Sequence, residues 1–276
     1  MEKELLRKVQ LTQLEIAKEI RRVCDENNIR YFLACGTFLG AVRHQGFIPW
    51  DDDMDIGMLR SDYEKFCRIA PQKLKPQYAL QTWYVDPNYS LPFGKVVKRG
   101  TVYMESKKTR RLKENGFYVD IFPYDFAPED SVERDSYVAK LLNIYRVKLM
   151  KSGYKPWMEN DRIIWKKRIG YLYYQLQSLF SGQKELARNY DTLAVSIHNS
   201  PVILEQNALP KPYCFPAETF SELADFVFEG EIFKGLKDYD TYLRLFYGDY
   251  MQLPPEDQRE NRHQIVEIDF GEESAS

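Results

Sequence analysis

Leu5, Leu6, Val9, Ile16, Ile20 and Val23 recur at helical spacing between charged neighbours, which predicts an amphipathic helix over residues 3–27, closed by Asn27 and Asn28. A short apolar run at residues 31–34 then reads as a strand, and residues 36–42 read as a glycine turn entering a short helix. Beyond a loop with Gly46 and Pro49, Met54, Ile56 and Met58 alternate as a second strand does. Ser61 is expected to cap the helix that follows, to about Ala70. A strand is suggested at residues 78–84, and two more apolar segments follow, one from about residue 95 to residue 103 and one at residues 117–122. From Ser131 the texture turns helical, over residues 137–150, 163–180 and 185–198, with Gly and Pro at the ends. Residues 215–262 mix short elements with the turn-rich Tyr247-Gly248-Asp249-Tyr250 and the pair Pro254-Pro255. The pattern divides the chain into an α/β core over residues 1–130 and a mainly helical subdomain over residues 131–276.

Composition narrows the class without choosing a function. The 276 residues carry a formal net charge of -2, with 44% hydrophobic and 29% charged positions, which excludes disorder and bulk nucleic-acid binding. No nucleic-acid polymer is therefore expected as a partner. Twenty Tyr and sixteen Phe supply rings both for a packed core and for contact with a ligand. Cys24, Cys35, Cys67 and Cys214 show no CxxC spacing and no flanking His pair, so neither a zinc knuckle nor a disulfide framework is expected. Reduced thiols fit a cytoplasmic protein. The opening Met-Glu-Lys-Glu lacks the apolar core of a signal, and no run approaches eighteen apolar residues, so neither conventional export nor a membrane span is expected.

The run Trp50-Asp51-Asp52-Asp53-Met54-Asp55-Ile56-Gly57 changes the picture, because it sets four carboxylates within five positions beside a strand. Like charges this close repel, and protonation, solvent or a bound metal must relieve them. On an extended strand Asp53 and Asp55 project to one face while Met54 and Ile56 pack inward, which makes a two-carboxylate platform. Hard oxygen ligands suit Mg²⁺ or Mn²⁺, which bind one or two carboxylates together with substrate phosphates. Gly36-Thr37 at a helix N-terminus offers backbone N–H groups to such a phosphate, with the Thr37 hydroxyl assisting. Asp120, in Tyr-Val-Asp-Ile-Phe, completes the set as a third strand-borne acid. A solvated acidic loop would not be flanked by Pro-Trp and Met-x-Ile, and an EF-hand would need Gly where Ile56 stands and Glu where Asp62 stands.

The segment Gly36-Thr37-x-Leu39-Gly40-Ala41-x-Arg43-His44-x-Gly46-Phe47-Ile48-Pro49-Trp50-Asp51-Asp52-Asp53-x-Asp55-Ile56 resembles the signature of the LicD family, whose relatives include the fukutin-related transferases. Shorter family-like blocks follow at Phe93-Gly94-Lys95, at Gly116-Phe117-x-x-Asp120-Ile121-Phe122-Pro123-x-Asp125, and from Tyr247 to Arg259. The resemblance implies an α/β (α+β) fold, a nucleotidyltransferase-like mixed sheet with flanking helices, to which the C-terminal motif returns at the active site. It also implies transfer of a phospho-alcohol, phosphocholine from CDP-choline in typical members, to a sugar hydroxyl of teichoic acid or lipooligosaccharide. Ribitol, glycerol and ethanolamine are alternative alcohols.

On that resemblance Asp53, Asp55 and Asp120 hold one or two Mg²⁺ (or Mn²⁺) ions, and Gly36, Thr37, Arg43, His44 and Lys95 bind the nucleotide diphosphate. Either Asp120 or Asp51 takes the proton of the acceptor hydroxyl, and Asp52 orients the loop. A choline donor would call for an aromatic cage, for which Trp83, Tyr84, Tyr89 and Tyr124 lie near the motifs. His198 and His263 lack metal-ligand spacing. The partners implied are a CDP-activated alcohol and a glycan or lipid-linked polymer acceptor. Residues 131–180 carry ten basic against four acidic residues, which suits a polyanionic acceptor. Residues 163–180 are read first as a helix packing its apolar face on the core, with peripheral contact at the inner face of the membrane as the alternative. The competing enzyme class is a nucleotide-sugar glycosyltransferase with an Asp-x-Asp metal site, and a non-catalytic metal-binding module is a third reading.

Overall fold

The structure is a computed structural model that describes residues 1–106, 110–154, 158–159, 162–163, 167–261 and 263–271. In chain order the first elements are α1 (Lys3–Glu26), β1 (Phe32–Leu33), α2 (Cys35–His44), β2 (Asp55–Leu59) and α3 (Arg60–Lys73). They are followed by β3 (Tyr78–Gln81), β4 (Gly94–Lys98), β5 (Val102–Met104), β6 (Tyr118–Ala127) and α4 (Ser131–Lys151). Next come β7 (Met158–Glu159), β8 (Arg162–Ile163), α5 (Arg168–Phe180), α6 (Gln183–Ala194), β9 (Val202–Glu205) and β10 (Cys214–Pro216). The hairpin β11 (Leu223–Phe228) and β12 (Glu231–Leu236), α7 (Tyr239–Tyr247) and β13 (Glu267–Asp269) complete the fold.

Among the described residues, seven strands form one mixed sheet in the order β1-β2-β6-β4-β3, with β9 and β10 joined to it through β6. β2 runs parallel to β6, and every other pairing in the sheet is antiparallel. β6 is long because it serves three neighbours. Its first half pairs with β4 and its second half with β9 along one edge, while β2 holds the other edge. Gly57 lets β1 and β2 close on each other, since a Cβ there would lie 2.3 Å from the Phe32 ring. The stripe on α1 does what its spacing predicts, burying Val9, Ile16, Ile20 and Val23 completely in the core shared with the sheet. That core also takes Phe215, Phe220 and Tyr242 from the far end of the chain.

The structure corrects several expected boundaries. β2 passes into α3 without a loop, so Leu59 occupies the capping position and Ser61 lies inside the first turn. β3 stops at Gln81 because Val85 and Asp86 both donate to the Thr82 carbonyl and turn the chain. α4 starts at Ser131, where the Asp130 carboxylate accepts from the amides of Val132 and Glu133. α6 ends at Ala194 rather than reaching His198. The helix expected over residues 163–180 begins at Arg168, with Ile163 in β8 and residues 164–166 outside the described residues. Its orientation is also reversed: Tyr171, Tyr174 and Ser178 face inward, while Ile169 (86% exposed), Leu172, Leu176, Leu179 and Phe180 (82%) face outward. The apolar face of α5 is therefore not packed on the core.

Candidate active site

Strand register builds the site. Gln81 on β3 pairs with Lys95 on β4, Lys95 with Asp120 on β6, and Asp120 with Asp55 on β2. Residues in register share a face of the sheet, so these four side chains form one polar row across four strands. The Lys95 ammonium lies 2.8 Å from Asp120 Oδ1 and 3.3 Å from the centre of the Tyr118 ring.

The glycine turn meets the row at its Asp55 end. Thr37 is buried, and its Oγ1 accepts a hydrogen bond of 2.8 Å from the Asp55 amide, which ties the first turn of α2 to the start of β2. A Cβ at Gly36 would stand 2.8 Å from Asp51 Oδ2, so the glycine lets that carboxylate lie against the helix N-terminus. The amides of Gly36 and Thr37 have no protein acceptor among the described residues. Cys35 opens α2 with φ 48°, an uncommon conformation for a residue other than glycine. It is held there by donation from its amide to Tyr242 Oη and from its thiol to Glu205 Oε1, at 3.1 and 3.0 Å.

Electrostatics show how crowded this end is. Burial holds the Asp55 carboxyl well above the ordinary range, and Asp53, Asp120, Asp51 and Glu205 push it further. Burial also raises Asp120 to about 6 against the pull of Lys95, with Asp53 and Glu105 adding to the rise. Glu205, buried, is raised by the same desolvation despite hydrogen bonds from Cys35, Tyr124 and Asn207. The acids of this cluster outnumber the Lys95 ammonium that faces them, and hard carboxylate oxygens are the donors a small divalent cation takes.

The acidic run is gripped from both ends of the chain. Gln10 and Gln13, polar positions on the buried side of α1, donate to the carbonyls of Asp51 and Asp52, each at 2.9 Å. Tyr103 donates to the Asp52 carbonyl, and Asn261 donates to that of Trp50. Trp50 is half-buried under the Arg259 guanidinium, 5.6 Å from its ring centre. His263 closes the arrangement, with Nδ1 2.9 Å from Asp52 Oδ1 and Nε2 3.9 Å from Asp53 Oδ2.

His263 lacks metal-ligand spacing in the sequence, yet it belongs to the set that converges. Among the described residues, ligand atoms of Asp52, Asp53 and His263 fall within 4.8 Å of one another. The hydrogen bond to Asp52 lifts the imidazole to about 9 against burial, helped by Asp53 and Glu105, so without a cation it is protonated and is the counter-ion of the run. Asp52 itself is 0% exposed, and its Oδ2 has no hydrogen-bond partner among the described residues.

Arg43 and His44 lie at the other end of α2, about 10 Å from the glycine turn by helical rise. Arg43 donates to the carbonyls of Tyr250 and Gln252 and to His44 Nε2, so it fastens the C-terminal loop. Burial, then the charge of Arg43, lowers the His44 pKa and keeps that ring neutral near pH 7. Of the four cage candidates, Trp83 packs edge-on against Tyr190, Tyr84 donates to Asp191, and Tyr124 is buried against Tyr242 and Glu205. Tyr89 alone of them lines a cavity with Lys95.

The chain is similar to known proteins over the segment that carries these motifs. The model of the LicD/FKTN/FKRP nucleotidyltransferase domain matches residues 28–145, which include Gly36, the acidic run, Lys95 and Asp120. The lipopolysaccharide cholinephosphotransferase LicD of Haemophilus influenzae is 30% identical over 269 residues, covering 95% of this chain and 97% of that protein. The chain belongs to the LicD family. It is accordingly a phosphotransferase. A shorter likeness, 42% identity over 48 residues, links it to the ribitol 5-phosphate transferases FKRP of human and mouse, covering 17% of this chain and 10% of theirs. The contacts made by Glu205, Asn261 and His263 lie beyond the matched nucleotidyltransferase segment, so this LicD-family site draws on elements after it.

Proposed function

We propose that this enzyme transfers a phospho-alcohol, phosphocholine from CDP-choline, to a sugar hydroxyl of a cell-surface glycan such as teichoic acid or lipooligosaccharide. The observation that carries the reading is the Gln81-Lys95-Asp120-Asp55 row with the glycine turn fastened to its acidic end. The amides of the glycine turn, unpaired among the described residues, and a crowd of acids that outnumber their cations support this reading, since metal-assisted phosphoryl transfer needs both. The near full-length likeness to a cholinephosphotransferase supports choline, and the FKRP likeness keeps ribitol 5-phosphate as the second donor alcohol.

Asp53, Asp55 and Asp120 are the residues we assign to Mg²⁺ or Mn²⁺. Bound there, the cation would supply positive charge to the diphosphate and to the CMP leaving group. The amides of Gly36 and Thr37 would hold a phosphate, and Lys95 would steady the donor from the middle of the row. The acceptor oxygen attacks the phosphorus carrying the alcohol, its proton passes to Asp120 or Asp51, and CMP departs.

No described helix is long and apolar enough to cross a membrane. We assign the outward apolar face of α5, with Lys167 and Arg168 at its start, to peripheral contact with an anionic membrane surface, where lipid-linked acceptors are met. Flotation with anionic liposomes tests this, and a protein that stays at the bottom of the gradient defeats it. For the reaction, incubation with Mg²⁺, CDP-choline and a glycan acceptor should release CMP, and Asp53→Asn or EDTA should abolish release. UDP released from UDP-sugars instead would establish the glycosyltransferase reading.

A further inference from the structure

The end of the polar row opposite Asp55 opens into a cavity of about 320 Å³. Lys95 forms part of its wall, so the cavity adjoins the Asp120 carboxylate directly. The rest of the wall is unusually rich in rings: Tyr89, Tyr103, Tyr118, Tyr145 and Tyr154 converge there, with Glu105 at the rim. They come from separate elements, namely the loop before β4, β5, β6, α4 and the turn after α4. No single stretch of sequence displays the set.

The wall has the chemistry of a cation receptor. Tyrosine faces carry negative potential, and Lys95 already exploits it by lying over the Tyr118 ring. Glu105 is held towards the cavity by a hydrogen bond from the Tyr118 hydroxyl, which orients the carboxylate without neutralising it. The Tyr89 hydroxyl is buried and has no partner among the described residues. Tyr103 spans both halves, since it lines the cavity and donates to the Asp52 carbonyl. Lys95 does not spoil the receptor, because its charge is matched by Asp120.

We propose that this cavity receives the alcohol head group of the donor and selects a small quaternary ammonium, with tyrosine faces around the methyl groups and Glu105 as the counter-charge. The inference rests on the phospho-alcohol reading above and adds the specificity pocket. Lys95 joins the two regions, since it lines the cavity and pairs with Asp120 in the row whose acidic end is fastened to the glycine turn. A polyol such as ribitol would set its hydroxyls against ring faces that leave them unpaired, which sets the preference.

Saturation-transfer NMR on the full chain reads the pocket without turnover, using choline chloride and its uncharged isostere 3,3-dimethylbutan-1-ol. Choline should bind about tenfold more tightly than the isostere. Glu105→Gln, at an exposed position, should weaken choline about three- to fivefold and leave the isostere unchanged. Tyr145→Leu, which keeps apolar volume, should weaken choline more than the isostere. Equal affinity for the two probes, or choline binding untouched by both variants, overturns the pocket. CMP release from CDP-choline and CDP-ribitol supplies the second arm. If kcat/KM falls for CDP-choline alone in Glu105→Gln, the pocket is supported; equal falls for both donors overturn it. If wild-type protein releases CMP from neither donor, the transfer reading fails, and the binding result alone decides the pocket.

Discussion

β6 carries two buried acids five residues apart, and they have been treated in opposite ways. Asp125 is answered by Arg60 in a two-pronged pair, Nε to Oδ1 at 2.7 Å and a terminal nitrogen to Oδ2 at 2.6 Å. Asp191 adds a further carboxylate to the guanidinium at 3.5 Å. Asp120 receives a single ammonium and shares its surroundings with Asp53, Asp55 and Glu105. Five positions on a strand place the two on opposite faces, one towards α3 and α6, the other towards the cavity and the acidic run. A buried carboxylate with a matched guanidinium is a structural fastening. One left crowded by its own kind has binding still to do.

The largest separation should come from Asp55→Asn. Removing one charge from the crowd should lower CMP release by about a thousandfold, roughly 4 kcal/mol of barrier. It should also raise the Tm of the metal-free protein by about 2–4 °C for each 1 kcal/mol of relieved repulsion. A matching change at the other acid should do the reverse. Arg60→Met leaves Asp125 buried and unpaired, so denaturant titration should show a loss of about 3–5 kcal/mol while the folded fraction keeps its activity.

The pH response sharpens the contrast with a smaller effect. Asp120 is raised from its ordinary value to about 6, so the metal-free folded state holds a proton that the unfolded chain has released. Its cost is fully present above about pH 6 and is relieved as pH falls towards 4. Metal-free Tm should therefore gain from this residue on acidification through that window. Asp120→Asn should flatten that gain, whereas Arg60→Met should leave it in place. Calorimetry in EDTA across pH 4–7 measures both.

The fold was legible where periodicity carries the information. The α1 stripe and the strand after the acidic run follow from spacings of three to four and of two, while the mixed α/β class rests more on the family resemblance. Asp55 and Asp120 could be named as strand acids, but their register could not, because pairing depends on which strands are neighbours. α5 shows the same limit. Spacing predicts a stripe, and only the packed structure reveals that Tyr171 and Tyr174 face inward while Leu172 and Leu176 face water. His263 carried no local signal, since its partner Asp52 lies 211 positions away. Gln10 and Gln13 did leave a trace, as polar residues on the apolar side of α1.

The central claim is that the crowded face of β6 and β2 is a cation site, and Mn²⁺ binding followed by electron paramagnetic resonance tests it most directly. Wild-type protein should bind Mn²⁺ at pH 7.5 and bind it less tightly below about pH 6, where Asp120 takes up its proton. Asp55→Asn should lose the ion, while His263→Gln, which removes a positive neighbour of Asp52 rather than a ligand, should change binding by about tenfold or less. Undiminished binding in Asp55→Asn, with complete loss in His263→Gln, would contradict the account and move the ion to Asp52, Asp53 and His263.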